Sequence, residues 1–507
     1  MAMKLAVLAL TLAVSIPSTS QIFKTPAALY PSGAGAGQWV TVADVNKDGK
    51  PDVIVANYGI GSGGVVGVLL GNGNGTFQTA VTYTVGTLGA DAIAVADLNG
   101  DGWPDLVVGT SDGFGPNNVY VLLNKGDGTF LPAVSYSSVG FNVFSVAVTD
   151  VDGDGKLDLV ALNECNGGSC PYSSIAVLLG NGDGTFRSAV TYDLASEQLA
   201  YALSVVAADL NQDGHPDLLV VDSLLNGGNG VVVVLLNKGD GTFPTQVTYQ
   251  TGGILSNSLI VGDVNGDGKL DAVVTNSNCC TGTDGTVGVL LGNGDGTFGS
   301  AVAYSAGLVC PASVAIGDFN GDGAQDLVVS SPPTATKCAF NVNPSGKVGV
   351  LLNNGNGTFQ PAITYSTGGR NAYSVAVADV NRDGKPDLVV AECDGYNSTC
   401  LSGAAAILLG LPAKTTTTVT TSGSPSTFGQ PVTFTAKITA TYGPIPNGAV
   451  VSFYDNSTKI GTGTTTNGAA IFTTSSLKVG THTIKATYPS SAFFKTSSGT
   501  VSQVVVQ

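Results

Sequence analysis

Charge is scarce in this chain. Asp, Glu, Lys and Arg make up 11% of 507 residues, basic residues number 20 against 36 acidic, and histidines number two. The net charge of −16 and a pI near 4.3 leave no basic footprint, which argues against nucleic acid and anionic lipid as partners. With His215 and His482 as the whole histidine complement, no Ser/His/Asp, Cys/His or zinc spacing survives. Beyond the N-terminal segment no run of about 18 apolar residues occurs, so membrane insertion is not expected. Helical periodicity is absent as well. The 70 glycines show no GXY period, which excludes collagen, and with 43% hydrophobic residues and a mean hydropathy of +0.27 they point to an ordered, turn-rich chain. The length suffices for about two to four domains.

The N-terminus carries an export signature. Lys4 precedes the apolar run Leu5 to Val14, and Ser18, Thr19 and Ser20 supply small residues for cleavage before Gln21. No Cys follows the run to take a lipid anchor. A soluble extracellular or periplasmic protein is therefore expected, with residues 1–20 as signal peptide. Such a compartment permits disulfides among the eight cysteines.

One phrase organises the chain up to residue 411. DxNxDGxxD starts at Asp44, Asp97, Asp150, Asp209, Asp263, Asp318 and Asp379, at spacings of 53, 53, 59, 54, 55 and 61 residues. A β-prone run enters each acidic loop and another leaves it. A variable Gly/Ser/Asn loop, a third run, a GNGDGTF-like turn and a fourth run complete the unit. Seven four-stranded units predict a seven-bladed β-propeller, in which radially stacked sheets hide their edges. A parallel β-helix, the rival suggested by GNGDGTF, needs tandem copies at short spacing, whereas this turn occurs once per unit.

Ring closure is also written in the sequence. Six units end in Phe77/Tyr83, Phe130/Tyr136, Phe186/Tyr192, Phe243/Tyr249, Phe298/Tyr304 and Phe359/Tyr365, and the seventh stops at Ile407–Gly410 without such a pair. The missing piece opens the mature chain as Phe23 to Tyr30. The N-terminal strand is thus expected to complete the last blade and cover both free edges.

The acidic phrase has the chemistry of a calcium cage. Oxygens at positions 1, 3 and 5 converge when the Gly at position 6 lets the chain curl, position 7 offers its backbone carbonyl and position 9 a further carboxylate. Mg²⁺ suits such a loop less well, because it demands stricter octahedral geometry. An EF-hand is excluded: its twelfth residue must be acidic, and here that place holds Val55, Val108, Ala161, Val220, Val274, Val329 and Val390. Metal-free Asx turns are the competing reading, but clustered carboxylates repel one another without a cation.

The loop between two Val/Ala-rich strands resembles the FG-GAP or VCBS repeat family, seven-bladed propellers of the kind found in integrin α-subunits, over residues 21–411. That resemblance implies structural Ca²⁺, up to seven ions. Carried across, the first site is Asp44, Asn46, Asp48, Lys50 and Asp52, and the second Asp97, Asn99, Asp101, Trp103 and Asp105. The third is Asp150, Asp152, Asp154, Lys156 and Asp158; the fourth Asp209, Asn211, Asp213, His215 and Asp217. Asp263, Asn265, Asp267, Lys269 and Asp271 form the fifth, Asp318, Asn320, Asp322, Ala324 and Asp326 the sixth, and Asp379, Asn381, Asp383, Lys385 and Asp387 the seventh. Seven Ca²⁺ would bring the net charge of −16 to −2. Residues 412–507, rich in threonine and without cysteine, resemble the bacterial Ig-like repeat family and predict a β-sandwich acting as spacer or adhesion domain.

Chain direction puts the acidic loops and GNGDGTF-like turns on one face and the variable loops on the other, where binding residues concentrate. The cysteines fall on this second face. Cys165 with Cys170 and Cys393 with Cys400 are the expected local bridges, Cys310 with Cys338 is plausible, and Cys279 and Cys280 pair with each other or with those two. Five residues after each ninth-position Asp stand Asn57, Thr110, Asn163, Asp222, Asn276, Ser331 and Glu392, expected to rim the central channel either as hydrated strand ends or as ligand contacts. The expected function is a non-catalytic, calcium-stabilised module binding an extracellular carbohydrate or protein. The alternatives are a polysaccharide lyase or glycoside hydrolase, with Asp222 and Glu392 as conceivable carboxylates, and a structural envelope or matrix protein.

Overall fold

The computed structural model describes residues 21–59, 63–87, 89–111, 118–164, 173–194, 201–223, 229–277, 283–332, 346–394 and 402–507. Every regular element among them is a β-strand. They divide into two compact units, one spanning Phe23–Leu411 and the other containing Pro412–Gln507.

The third repeat shows how the sequence makes one sheet. Val143–Thr149, Asp158–Asn163, Ser174–Leu178 and Val190–Asp193 pair antiparallel in chain order. Every residue of Asp158–Asn163 is buried, because both of its faces are covered by neighbouring sheets, so the run reads as continuous Leu/Val/Ala rather than alternating. The outermost strand, Val190–Asp193, is exposed except for its half-buried Tyr192. The apolar clusters accordingly lie between consecutive repeats. One joins Val160 and Ile175 of the third repeat to Val205 and Val233 of the fourth. Another joins Val55 and Leu69 of the first to Val389 and Ile407 of the seventh, so the series of sheets closes on itself as a propeller-like ring.

Seven separate four-stranded sheets were expected, and the hydrogen-bond ladders correct this: five four-stranded sheets stand apart, while the first two repeats share one eight-stranded sheet. The cause is a single residue pair, Tyr58↔Gly89, which bridges Asp52–Tyr58 of the first repeat to Gly89–Ala96 of the second. Gly89 permits this approach, since a Cβ there would lie 2.2 Å from the Tyr58 ring.

The clasp forms as expected. Ala28–Ala34 pairs antiparallel with Ser402–Leu408, from Ala28↔Ile407 to Ala34↔Ser402, and becomes the outer strand of the seventh sheet. Phe23 bridges Gly410, and the Lys24 N–H donates to the Leu409 carbonyl at 2.8 Å. Each outer-strand Tyr meets the turn Phe of the next repeat edge-to-face, from Tyr83–Phe130 through Tyr304–Phe359, at 5.3–5.6 Å between centroids. Tyr365–Phe23 at 5.6 Å and Tyr30–Phe77 at 5.3 Å complete the cycle through the clasp. Such pairs contribute about 0.5–1.5 kcal/mol each beyond the area they bury.

In the C-terminal unit eight strands follow the order Thr415–Thr421, Val432–Ala440, Ala469–Thr474, Thr458–Thr466, Val450–Asp455, Gly480–Tyr488, Ser497–Val506 and Ser426–Thr427. Alternation is clear here: Val432, Phe434, Ala436 and Ile438 point inward while Lys437 is exposed. Phe434, Phe453, Ile484, Tyr488 and Phe494 are among its fully buried side chains.

Candidate metal centres

All seven acidic loops curl in the same way. Gly49, Gly102, Gly155, Gly214, Gly268, Gly323 and Gly384 at position 6 have φ of 78–88°, the left-handed region that a side chain would resist. The position-1 carboxylate is wrapped by backbone donors: Asp44 accepts from the N–H groups of Asp48 at 3.1 Å and Gly49 at 2.8 Å, and Asp150 from Gly153 and Gly155, each at 2.8 Å. The position-3 oxygen of Asn46 or Asp152 accepts from the position-5 N–H. The structure thus places positions 1, 3 and 5 around one turn, as the spacing predicts.

Position 9 has a structural task that the sequence did not disclose. Asp52, Asp105, Asp158, Asp217, Asp271, Asp326 and Asp387 are buried at the root of the loop. Asp52 accepts the Val45 N–H at 3.0 Å on one oxygen and the Gly71 N–H at 2.7 Å on the other, tying the acidic loop to the neighbouring turn. The bond to the turn recurs from Asn124, Gly180, Asn237, Gly292, Asn353 and Gly410. Burial pushes these carboxyls up. The two backbone bonds pull them partly back, and the other loop carboxylates raise them again. Asp52 stands at about 6, and Asp326 and Asp387 at about 7. A cation in the loop would reverse the repulsive part of this balance.

In six of the seven loops the second oxygen at position 5 finds one of two partners. In loops one, three and seven the Lys at position 7 pairs with it, at 2.8 Å for Lys50–Asp48 and 3.0 Å for Lys156–Asp154, with Lys385–Asp383 as the third pair. In loops two, four and six, which have Trp103, His215 and Ala324 at position 7, the position-3 amide donates instead, from Asn99 to Asp101, Asn211 to Asp213 and Asn320 to Asp322. In loop three, oxygens of Asp150, Asp152 and Asp158 lie within 4.8 Å of one another. Hard oxygen donors at this spacing fit a Ca²⁺-sized ion. In the other loops an amide oxygen takes the place of Asp152.

A further stitch was missed because it rides on one variable position. Where four repeats have Gly before the turn, Asn124, Asn237 and Asn353 stand in the second, fourth and sixth. Their amides donate to the position-2 carbonyl of the preceding acidic loop: Val45 at 2.8 Å, Val151 at 2.9 Å and Val264 at 2.7 Å. The replacement of LLG by LLN in alternate repeats was the available signal.

The expected polar rim is corrected. Asn57, Thr110, Asn163, Asp222, Asn276, Ser331 and Glu392 are all buried, at most 8% exposed. Several reach the outer strand of the preceding repeat rather than the channel. Asn57 accepts from Ser32 Oγ at 2.8 Å, Asn163 donates to the Ser138 carbonyl at 3.3 Å, Asn276 to Thr251 at 3.2 Å, and Glu392 accepts from Thr367 Oγ1 at 2.6 Å. Thr110 donates to the Asn118 carbonyl, Ser331 to Pro332, and Asp222 accepts the Tyr201 N–H. Strand alternation turns this position toward the neighbouring sheet. Among the cysteines, Cys310 and Cys393 are buried and disulfide-bonded. Cys165, Cys170, Cys279, Cys280, Cys338 and Cys400 lie outside the described residues, as does much of each variable loop.

Comparison with known proteins bears on both units. The FG-GAP-like repeat description matches residues 44–108, 97–161, 166–220, 221–274, 278–329 and 339–390, and the FG-GAP repeat description residues 311–351. A bacterial Ig-like domain (group 3) matches residues 419–507. Cartilage acidic protein 1 of Xenopus tropicalis is 26% identical over 340 residues, 62% of this chain and 43% of the relative, so the chain spans under half of that relative's length. The solved structure of BP39L lectin from Burkholderia pseudomallei is similar with a TM-score of 0.48 and 11% identity, covering 74% of this chain and 96% of that one.

Proposed function

Because the chain belongs to the FG-GAP-like repeat family and ends in a bacterial Ig-like domain, we propose an exported, calcium-stabilised propeller that binds an extracellular carbohydrate or protein. The reading includes seven blades, with the eight-stranded sheet counted as two blades joined at Tyr58↔Gly89. The closed cycle of seven Tyr–Phe pairs supports that count.

The observation that carries the function is a division of labour between the two ends of the sheets. At one end the loop carboxylates are bonded to backbone donors of their own loops and of the adjoining turns. Ca²⁺, when bound there, would neutralise the carboxylates at positions 1, 3 and 5 and hold each hairpin in shape. The other end carries the connections that differ most in length and composition between repeats, the pattern of a rigid scaffold presenting recognition loops. Binding rather than catalysis is assigned because Asp222 and Glu392, the conceivable carboxylate pair, are fully buried and hydrogen-bonded within the framework. The Ig-like domain serves as spacer or adhesion domain in this reading, and residues 1–20 direct export.

The test is a glycan array probed with residues 21–507 in millimolar Ca²⁺, with the same protein screened for release of reducing sugar. Specific, chelator-sensitive glycan hits without product support carbohydrate binding, and silence on the array shifts the ligand to protein. Product release would overturn the non-catalytic assignment.

A further inference from the structure

We infer that the seven acidic loops form a graded cation array, with the third loop the tightest site and the seventh the weakest. This rests on the calcium reading above and adds an order of filling to it. Six loops supply three carboxylates each, while the third supplies four, because Asp152 replaces the Asn at position 3. Anionic ligand count is the main lever on affinity in oxygen cages of this kind. The third loop is also where three carboxylate oxygens already converge within 4.8 Å.

Its lysine does not cancel the gain. Lys156 pairs with Asp154 at 3.0 Å, but its side chain is 39% exposed. An exposed pair of that kind is worth little and can open to release the carboxylate.

The seventh loop differs in that respect. Lys385 pairs with Asp383 from a side chain only 7% exposed, so the ammonium is confined beside a ligand position. Position 4 of the same loop is Arg382, held at φ 61°, where four loops have Gly. Arg382 is exposed, so within DVNRDGKPD three carboxylates face one confined ammonium, against four carboxylates and one more exposed lysine in DVDGDGKLD. A cation entering the seventh loop must displace or coexist with a buried ammonium, and one entering the third need not.

The seventh loop also adjoins the clasp, since Asp387 binds the Gly410 N–H and Phe23 bridges Gly410. The seam of the ring is thereby held by the internal Lys385 ammonium at calcium concentrations too low to fill its own loop.

Isothermal titration of the calcium-stripped full chain with CaCl₂ tests the order, using D152N, N211D and K385M. Asn is already the position-3 residue of six loops, so D152N keeps a sequence these hairpins fold with. The expected result is loss of the tightest class in D152N, with a roughly tenfold weaker first binding step. N211D, which gives the fourth loop four carboxylates, adds a second tight site, and K385M strengthens the weakest class several-fold while leaving the tightest unchanged. A tightest class unmoved by D152N, or wild-type sites of equal affinity, overturns the grading and leaves the calcium reading standing. Absence of any calcium heat in the wild type removes both.

Discussion

The ring and the C-terminal unit are built from the same element and solve its problem differently. In the C-terminal unit alternate residues such as Phe434 and Ile438 enter one shared interior, and exposed Lys437 stands between them. In the ring each sheet is buried on both faces, so its apolar clusters are distributed among junctions. Three Asn reaching backwards tie those junctions together, while seven buried Asp fasten each acidic loop to the turn of its own repeat. The C-terminal unit has a local polar anchor in His482, whose ring nitrogens lie 2.7 Å from Asp455 Oδ2 and from the Lys478 carbonyl. A ring of repeats is therefore sensitive to closure and to turn electrostatics, and a sandwich is not.

Removing the clasp should break this comparison most sharply. Deletion of residues 21–31 exposes the Ser402–Leu408 edge and removes Phe23 from between Phe319 and Tyr365. The expected loss approaches the whole folding free energy of a domain, roughly 5–15 kcal/mol, and calorimetry of the full chain should lose the ring transition while keeping that of the C-terminal unit. An unchanged ring transition would refute closure by the N-terminal strand. Within the same seam, Phe23→Ala should cost about 3–5 kcal/mol in urea unfolding, whereas Phe428→Ala, at a side chain 57% exposed in the C-terminal unit, should stay within about 0.5 kcal/mol.

A smaller effect separates alternate repeats. Asn237→Gly gives the fourth repeat the residue of its odd-numbered neighbours and leaves the Val151 and Pro216 carbonyls without their amide donor. A cost of about 1–3 kcal/mol is expected for buried groups so orphaned. Equal stability of the variant would show that the Asn stitch is incidental.

The smallest effect belongs to the C-terminal unit. Burial draws the His482 imidazolium down, but the Lys478 carbonyl and the Asp455 carboxylate outweigh it and raise its pKa above 6.5. A raised histidine stabilises the fold fully below the unfolded value, and that contribution is lost as pH rises through the folded value. NMR titration should place His482 above 6.5 in the full chain and nearer 6.5 in D455N, with the melting temperature of this unit declining slightly as pH rises past that window. A His482 titrating at or below 6.5 contradicts the pairing.

What the sequence disclosed was whatever repeats. The loop phrase, the strand runs, and the Phe and Tyr that recur at fixed offset were legible because six or seven copies exclude coincidence, and Phe23 to Tyr30 could be assigned as the displaced seventh piece. Side-chain direction at a strand end was not legible. Asn57, Asn163, Asn276 and Glu392 turn to the preceding sheet because strand alternation and blade packing decide which face they occupy, and hydropathy is silent on that choice. The fusion at Tyr58↔Gly89 depends on one glycine that, among the described residues, no other repeat uses in this way. The anchoring role of Asp52 and its equivalents was hidden for another reason: a carboxylate that accepts two backbone N–H bonds and one that would ligate a cation look the same in a motif.

The central claim is that the acidic loops hold cations and that the ring, unlike the C-terminal unit, depends on them. Scanning calorimetry of residues 21–507 in CaCl₂ and in excess EDTA tests it directly. The account predicts that EDTA lowers the ring transition by many degrees and leaves the C-terminal transition where it was. Coincident ring transitions in calcium and in EDTA would contradict it.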